Sequence, residues 1–212
     1  MMMKNLLFVS LICGLLCWGC TSLRQGCHRT ELHEVPSWEW NGIVDPEAGV
    51  NKFNLQIDIA KHHFSGLLLV KQIQPYRHRM VFTTHFGMRV FDLEFIADSL
   101  CVHYCIEPVK KDKIIRLLKN DFSGLFGRRA SAPQRVYADR KTGGKKILVY
   151  RIEPSSYYLV NQEINAVEQI TAGRGWNKTS WRFEAYQAGF PTHVRIRHAM
   201  WPIRFELNRL TW

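Results

Sequence analysis

From Phe53 onward apolar and polar side chains alternate: Phe53, Leu55, Ile57 and Ile59 are interleaved with Asn54, Gln56, Asp58 and Ala60. A period of two predicts a strand with one buried face. Gly66 to Gln72 predicts a second, more apolar strand ended by a Gln74-Pro75 turn. Tyr76 to Thr83, Met88 to Phe95 and Leu100 to Ile106 then follow, separated by turns at His85-Phe86-Gly87 and Ala97-Asp98-Ser99. Short strands joined by tight turns make an antiparallel meander.

Pro108 to Phe126 changes period. Val109, Ile114, Ile115, Leu117, Leu118, Phe122 and Leu125 recur at helical spacing, with Lys110, Lys111, Lys113, Arg116 and Lys119 between them. This predicts an amphipathic basic helix, either packed on the sheet with a solvated lysine face or lying on a membrane surface. Strand patterns resume at Lys146 to Ile152, Tyr157 to Asn161, Ala166 to Thr171, Ser180 to Tyr186, His193 to Ala199 and Ile203 to Leu210, with a Thr142-Gly143-Gly144 turn before them and a long loop at Arg128 to Arg135. The pattern therefore gives about eleven strands and one principal helix. We expect a mainly β (α+β) chain: a highly curved antiparallel sheet forming an unclosed half-barrel around that helix, because so large a sheet must curl, close or split. A curled sheet leaves a concave apolar groove suited to acyl chains, with Ile114, Leu117, Leu118 and Phe122 as groove lining or lid.

The first residues follow another rule. Lys4 precedes an apolar run from Leu6 to Leu16, and Gly19 stands directly before Cys20. The run is shorter than the ~20 residues a permanent bilayer span needs, which predicts a signal peptide over residues 1–19. A small residue followed by cysteine suits lipoprotein processing, in which Cys20 becomes acylated. Ordinary secretory cleavage after Gly19, leaving a free thiol, is the alternative. Residues 20–36 are polar and aperiodic, a tether, and residues 37–212 make one domain.

Composition narrows the partners. The 212 residues carry a formal charge of +11, and removing the signal costs only the charge of Lys4. A basic surface outside the cytoplasm favours lipid headgroups and acidic envelope molecules, and export argues against nucleic acid. Cys101 and Cys105, four apart on one predicted strand, would lie about 13 Å from each other, too far for one disulfide or a shared metal ion. We therefore expect no metal site and no cofactor. Nucleophile-elbow, phosphate-loop and HExxH patterns are missing from the sequence, which argues against an enzyme. His62-His63 reads as a polar turn, and His193 and His198 as members of a basic hairpin.

Phe86 is unusual. A hairpin tip is ordinarily polar, yet here Phe86 and Met88 flank Gly87. Either the ring folds back onto the sheet or it is offered to solvent.

Several stretches resemble the LolA/LolB family of bacterial lipoprotein carriers, especially its outer-membrane receptor branch, LolB. Arg79-Met80-Val81-Phe82-Thr83-Thr84-His85-Phe86-Gly87 is similar to that branch's strand, protruding loop and return strand. Trp181 to Arg197, with Tyr186 and the Gly189-Phe190-Pro191 step, resembles the approach to the family's final hairpin. Leu67 to Lys71 and Trp212 also fit. The resemblance implies a LolA/LolB-like fold and a lipid-anchored outer-membrane protein facing the periplasm. It implies acylated lipoprotein or lipid as cargo, outer-membrane lipid and a periplasmic carrier protein as partners, and Phe86 and Met88 as membrane or cargo contacts. A structural or interaction lipoprotein is the alternative.

Overall fold

The computed structural model describes residues 27–29, 40, 42–59, 61–126, 135–139, 147–153 and 156–210. The signal peptide, Cys20, most of the tether, the Thr142-Gly143-Gly144 turn and Trp212 lie outside them.

Among the described residues there are thirteen strands: β1 (Cys27–Arg29), β2 (Asn51–Ile59), β3 (His62–Gln74), β4 (Arg77–Thr84), β5 (Arg89–Ile96), β6 (Ser99–Cys105), β7 (Arg135–Asp139), β8 (Ile147–Glu153), β9 (Ser156–Asn161), β10 (Ala166–Ala172), β11 (Thr179–Gln187), β12 (Phe190–His198) and β13 (Ile203–Arg209). Helix α1 (Asp112–Ser123) follows β6, and a 3-10 turn occupies Gly175–Asn177. The helix is shorter than the apolar spacing predicted. Lys111, in extended conformation, caps its start, and it gives way at Gly124.

All strands belong to one antiparallel sheet in the order β1-β7-β8-β9-β10-β11-β12-β13-β2-β3-β4-β5-β6. Two meanders, β2 to β6 and β7 to β13, are sewn together where β13 pairs with β2 from Ile203 opposite Ile59 to Arg209 opposite Phe53. The two ends, β1 and β6, do not pair, so the sheet is unclosed. Two consecutive helical residues reveal its curvature. Asp121 receives a 2.7 Å hydrogen bond on its backbone carbonyl from Trp181 Nε1 of β11, while the Phe122 ring lies 5.9 Å from Phe91 of β5. In a flat sheet β11 and β5, six strand spacings apart, would be separated by about 29 Å. Only a strongly curled sheet brings both to one helix.

The concave face holds the core. Phe53, Phe82, Phe91, Phe122, Phe183 and Phe205 are all fully buried, and Phe122 packs edge-on to Phe205 at 5.6 Å. On the convex face, Asp92 and Glu94 of β5 are buried beneath basic side chains: Arg79 makes two 2.9 Å bonds to Asp92, and Arg77 and His103 bond Glu94. The hydrogen bond from Arg79 holds the Asp92 carboxyl below the usual carboxylate range, and those from Arg77 and His103 do the same for Glu94.

Cys101 and Cys105 are both free thiols, but they do not share a face as a regular strand would require. A register shift in β6 sets Cys101 opposite Glu94 and Cys105 opposite Phe91, so one is exposed on the outer face and the other packs on the core.

Candidate functional site

The β4–β5 hairpin forms the candidate site. Its strands stand on the core through the Phe82 and Phe91 rings, 5.4 Å apart, and Phe91 in turn meets Phe122. At the tip, Thr84 N–H donates to Met88 O at 2.9 Å and Gly87 N–H donates to Thr84 O at 2.9 Å, while the Thr84 hydroxyl accepts from Met88 N–H at 3.2 Å. Gly87 sits at φ 80°, a left-handed conformation that glycine adopts without a Cβ clash. The turn is thus closed by its own hydrogen bonds and has no need of the Phe86 ring. That ring is 99% exposed, and Met88 is exposed beside it. Of the two conformations the sequence leaves open, the ring takes the outward one. A bare phenyl ring in water forgoes about 1.5–3 kcal/mol of burial, and nothing in the hairpin recovers it.

The helix residues occupy a different environment. Leu118 and Phe122 are buried, and Ile114 and Leu117 are half-buried against the same core. Gly124 lies so close to Trp181 that a Cβ there would come within 2.5 Å of the indole. The space between this helix and the sheet is therefore filled by side chains. Two open volumes among the described residues lie away from the helix. A cleft of about 860 Å³ is bordered by Asp45, Val50, Asn51, Lys52, Phe190 and Arg209, and a trough of about 470 Å³ on the convex face is lined by Val50, Leu69, Lys71, Ile73, Arg79 and Val81. Arg209 spans the first cleft's wall, stacked over Phe53 at 4.9 Å and donating to Asn51 Oδ1 at 2.8 Å and to Ile43 O.

Sequence reasoning missed one polar pair, Asp121 on α1 and His198 on β12, which lie 77 residues apart. His198 Nε2 meets Asp121 Oδ1 at 2.9 Å and Nδ1 meets Ile203 O at 3.2 Å, so both ring nitrogens face acceptors, as an imidazolium requires. Burial lowers the His198 pKa, but the hydrogen bond and charge of Asp121 and the Ile203 carbonyl outweigh it, and the net shift is upward. Burial also raises the Asp121 carboxyl, whose Oδ2 has no partner. Because folded His198 holds its proton more tightly than the unfolded chain does, this stabilisation is complete below the unfolded value of about 6.5 and is lost as pH rises through the folded one. His78 acts in the opposite sense. Burial, where it stacks 4.2 Å from Phe126, lowers it to about 4, so its contribution is present above about 6.5 and is lost as pH falls toward 4. The melting temperature is thus expected to fall as pH is raised above about 6.5. His198→Gln, which keeps a donor toward Asp121, should flatten that limb in thermal melts at several pH values, whereas an unchanged alkaline slope would mean that this pair does not set it.

Among the described residues no group of three or more His, Cys, Asp or Glu could hold a metal ion, and no helix is long and apolar enough to cross a membrane.

No protein-family model matches the sequence, and no curated protein does. Among solved structures, the fold is similar to that of a LolA superfamily protein from Nitrosomonas europaea, with a TM-score of 0.51 and 9% identity over 84% of this chain and 86% of that one. A DUF1329 family protein from Desulfovibrio piger aligns with a TM-score of 0.48 and 7% identity over 76% of this chain and 83% of that one. At such identities the likeness is one of fold. The sheet is LolA-like, unclosed, antiparallel and wrapped on one helix. The narrower resemblance to the LolB branch rests on the sequence motifs.

Proposed function

We propose that the protein is a lipid-anchored envelope protein that binds acylated cargo, lipoprotein or lipid, and assists its delivery to the outer membrane. The observation that carries this reading is Phe86, an aromatic ring fully offered to solvent at the tip of a hairpin closed by its own hydrogen bonds. Hydrocarbon is the environment in which such a ring gains most. In this account acylated Cys20 holds the domain at the membrane, Phe86 and Met88 touch lipid or the cargo's acyl chains, and a periplasmic carrier protein supplies the cargo. The apolar face of Ile114, Leu117, Leu118 and Phe122 receives the acyl chain when α1 lifts from the sheet.

The second reading is a structural or interaction lipoprotein of the envelope without transport activity. It is favoured by the filled interior, where six phenylalanines occupy the space an acyl chain would need. A fluorescent fatty acid separates the two. The delivery reading expects saturable binding to the purified protein, and competition by an acylated peptide but not by its unacylated form. Leu118→Asn should weaken the binding, with urea denaturation run in parallel because a buried leucine commonly contributes about 2–5 kcal/mol. A folded protein with no saturable binding would favour the structural reading.

A further inference from the structure

Phe86 does not stand alone at its end of the sheet. Because every neighbouring pair is antiparallel, the connections β10–β11, β12–β13, β2–β3 and β4–β5 emerge side by side along one rim, in that order. Successive loops on the rim present Trp176, then Met200 and Trp201, then Phe64 just inside β3, then Phe86 and Met88. All are exposed, Trp176 by 78% and Trp201 by 55%. The two tryptophan loops are tied together where Ala199 N–H donates to Lys178 O at 2.8 Å. The rim connections are also basic. The rim connections, 61, 85–88, 173–178 and 199–202, contain Lys61, Arg174 and Lys178 and no acidic residue. The segment from β6 to α1 also starts at the rim and adds Lys110 and Lys111, its single acid, Glu107, being paired with Lys110 at 3.4 Å.

Tryptophan combines a large apolar ring with one polar N–H, a combination that settles at the headgroup level of a bilayer. Lysine and arginine beside it gain about 1 kcal/mol each near an anionic leaflet. Exposed tryptophan rings gain nothing from water. We propose that this rim as a whole is a docking surface for an anionic lipid bilayer, with Trp176 and Trp201 at headgroup depth and Phe86 reaching the acyl chains. The inference rests on the membrane-contact reading of Phe86 and extends it to three further loops. Docking on several loops also fixes the domain's attitude: the strands stand on the membrane with their other ends pointing away.

The full chain reconstituted into vesicles of phosphatidylcholine with about a third phosphatidylglycerol, carrying brominated acyl chains, tests this by quenching of tryptophan fluorescence. The wild type should be quenched, less so on pure phosphatidylcholine and less in 1 M salt, where the screening length shrinks to about 3 Å. Trp176→Ser with Trp201→Ser should lose most of the lipid-dependent quenching while keeping the wild-type melting temperature, since both side chains are exposed. Phe86→Trp placed in that double variant reports the tip alone. Quenching of the new tip tryptophan with none from Trp176 and Trp201 would overturn the rim and leave the Phe86 reading standing. If neither the loops nor the tip were quenched, both readings would fall.

Discussion

Phe122→Ala should destabilise the protein by about 3–5 kcal/mol, the usual cost of deleting a fully buried phenylalanine. Phe122 is the keystone between the halves of the sheet: its ring meets Phe91 of β5 and Phe205 of β13, and it has no exposed surface. The preceding residue, Asp121, binds Trp181 and His198 from β11 and β12, so a loosened helix end slackens both meanders together. Urea denaturation is the measurement, and the loss corresponds to roughly 10 °C in melting temperature for a chain of this size. The result also bears on function. A cost below about 1 kcal/mol would mean that α1 is weakly seated and readily lifts, whereas the full cost means that an acyl chain must displace well-packed aromatic rings to enter beneath it.

The strands from β2 to β4 were legible in the sequence because each buries one face, and alternation is the direct imprint of that geometry on residue choice. Even the tip was legible, since Phe86 violates the polar composition of a turn. Strand β7, Arg135–Asp139, was not, because five residues carry too little alternation and the strand is defined by its pairing with β8. The Cys101 and Cys105 geometry failed for a related reason: a register shift leaves no trace in spacing, yet it sends the two thiols to opposite faces. Asp121 and His198 were invisible as a pair because only the curl of the sheet brings them together. The rim was invisible for the same reason at larger scale. Trp176 and Phe86 belong to different meanders, and only the β13–β2 junction lines their loops along one edge.

Phe86→Glu should remove delivery and leave the fold intact. The side chain touches nothing that the sheet depends on, and substitutions at such exposed positions usually change stability by less than about 0.5 kcal/mol. For lipid contact the change is severe, because a carboxylate placed in hydrocarbon must either shed its hydration or take up a proton. Phe86→Leu keeps an apolar tip and should retain most of the activity, which separates loss of apolar character from loss of the aromatic ring.

Delivery itself is the claim to measure most directly. The purified protein is loaded with a fluorescent acylated peptide and mixed with vesicles containing an acceptor dye, and transfer is followed in time for the wild type, Phe86→Glu and Phe86→Leu, with a thermal melt of each. The account predicts rapid transfer by the wild type and by Phe86→Leu, and none above the spontaneous rate by Phe86→Glu at an unchanged melting temperature. Transfer by Phe86→Glu at the wild-type rate would contradict it.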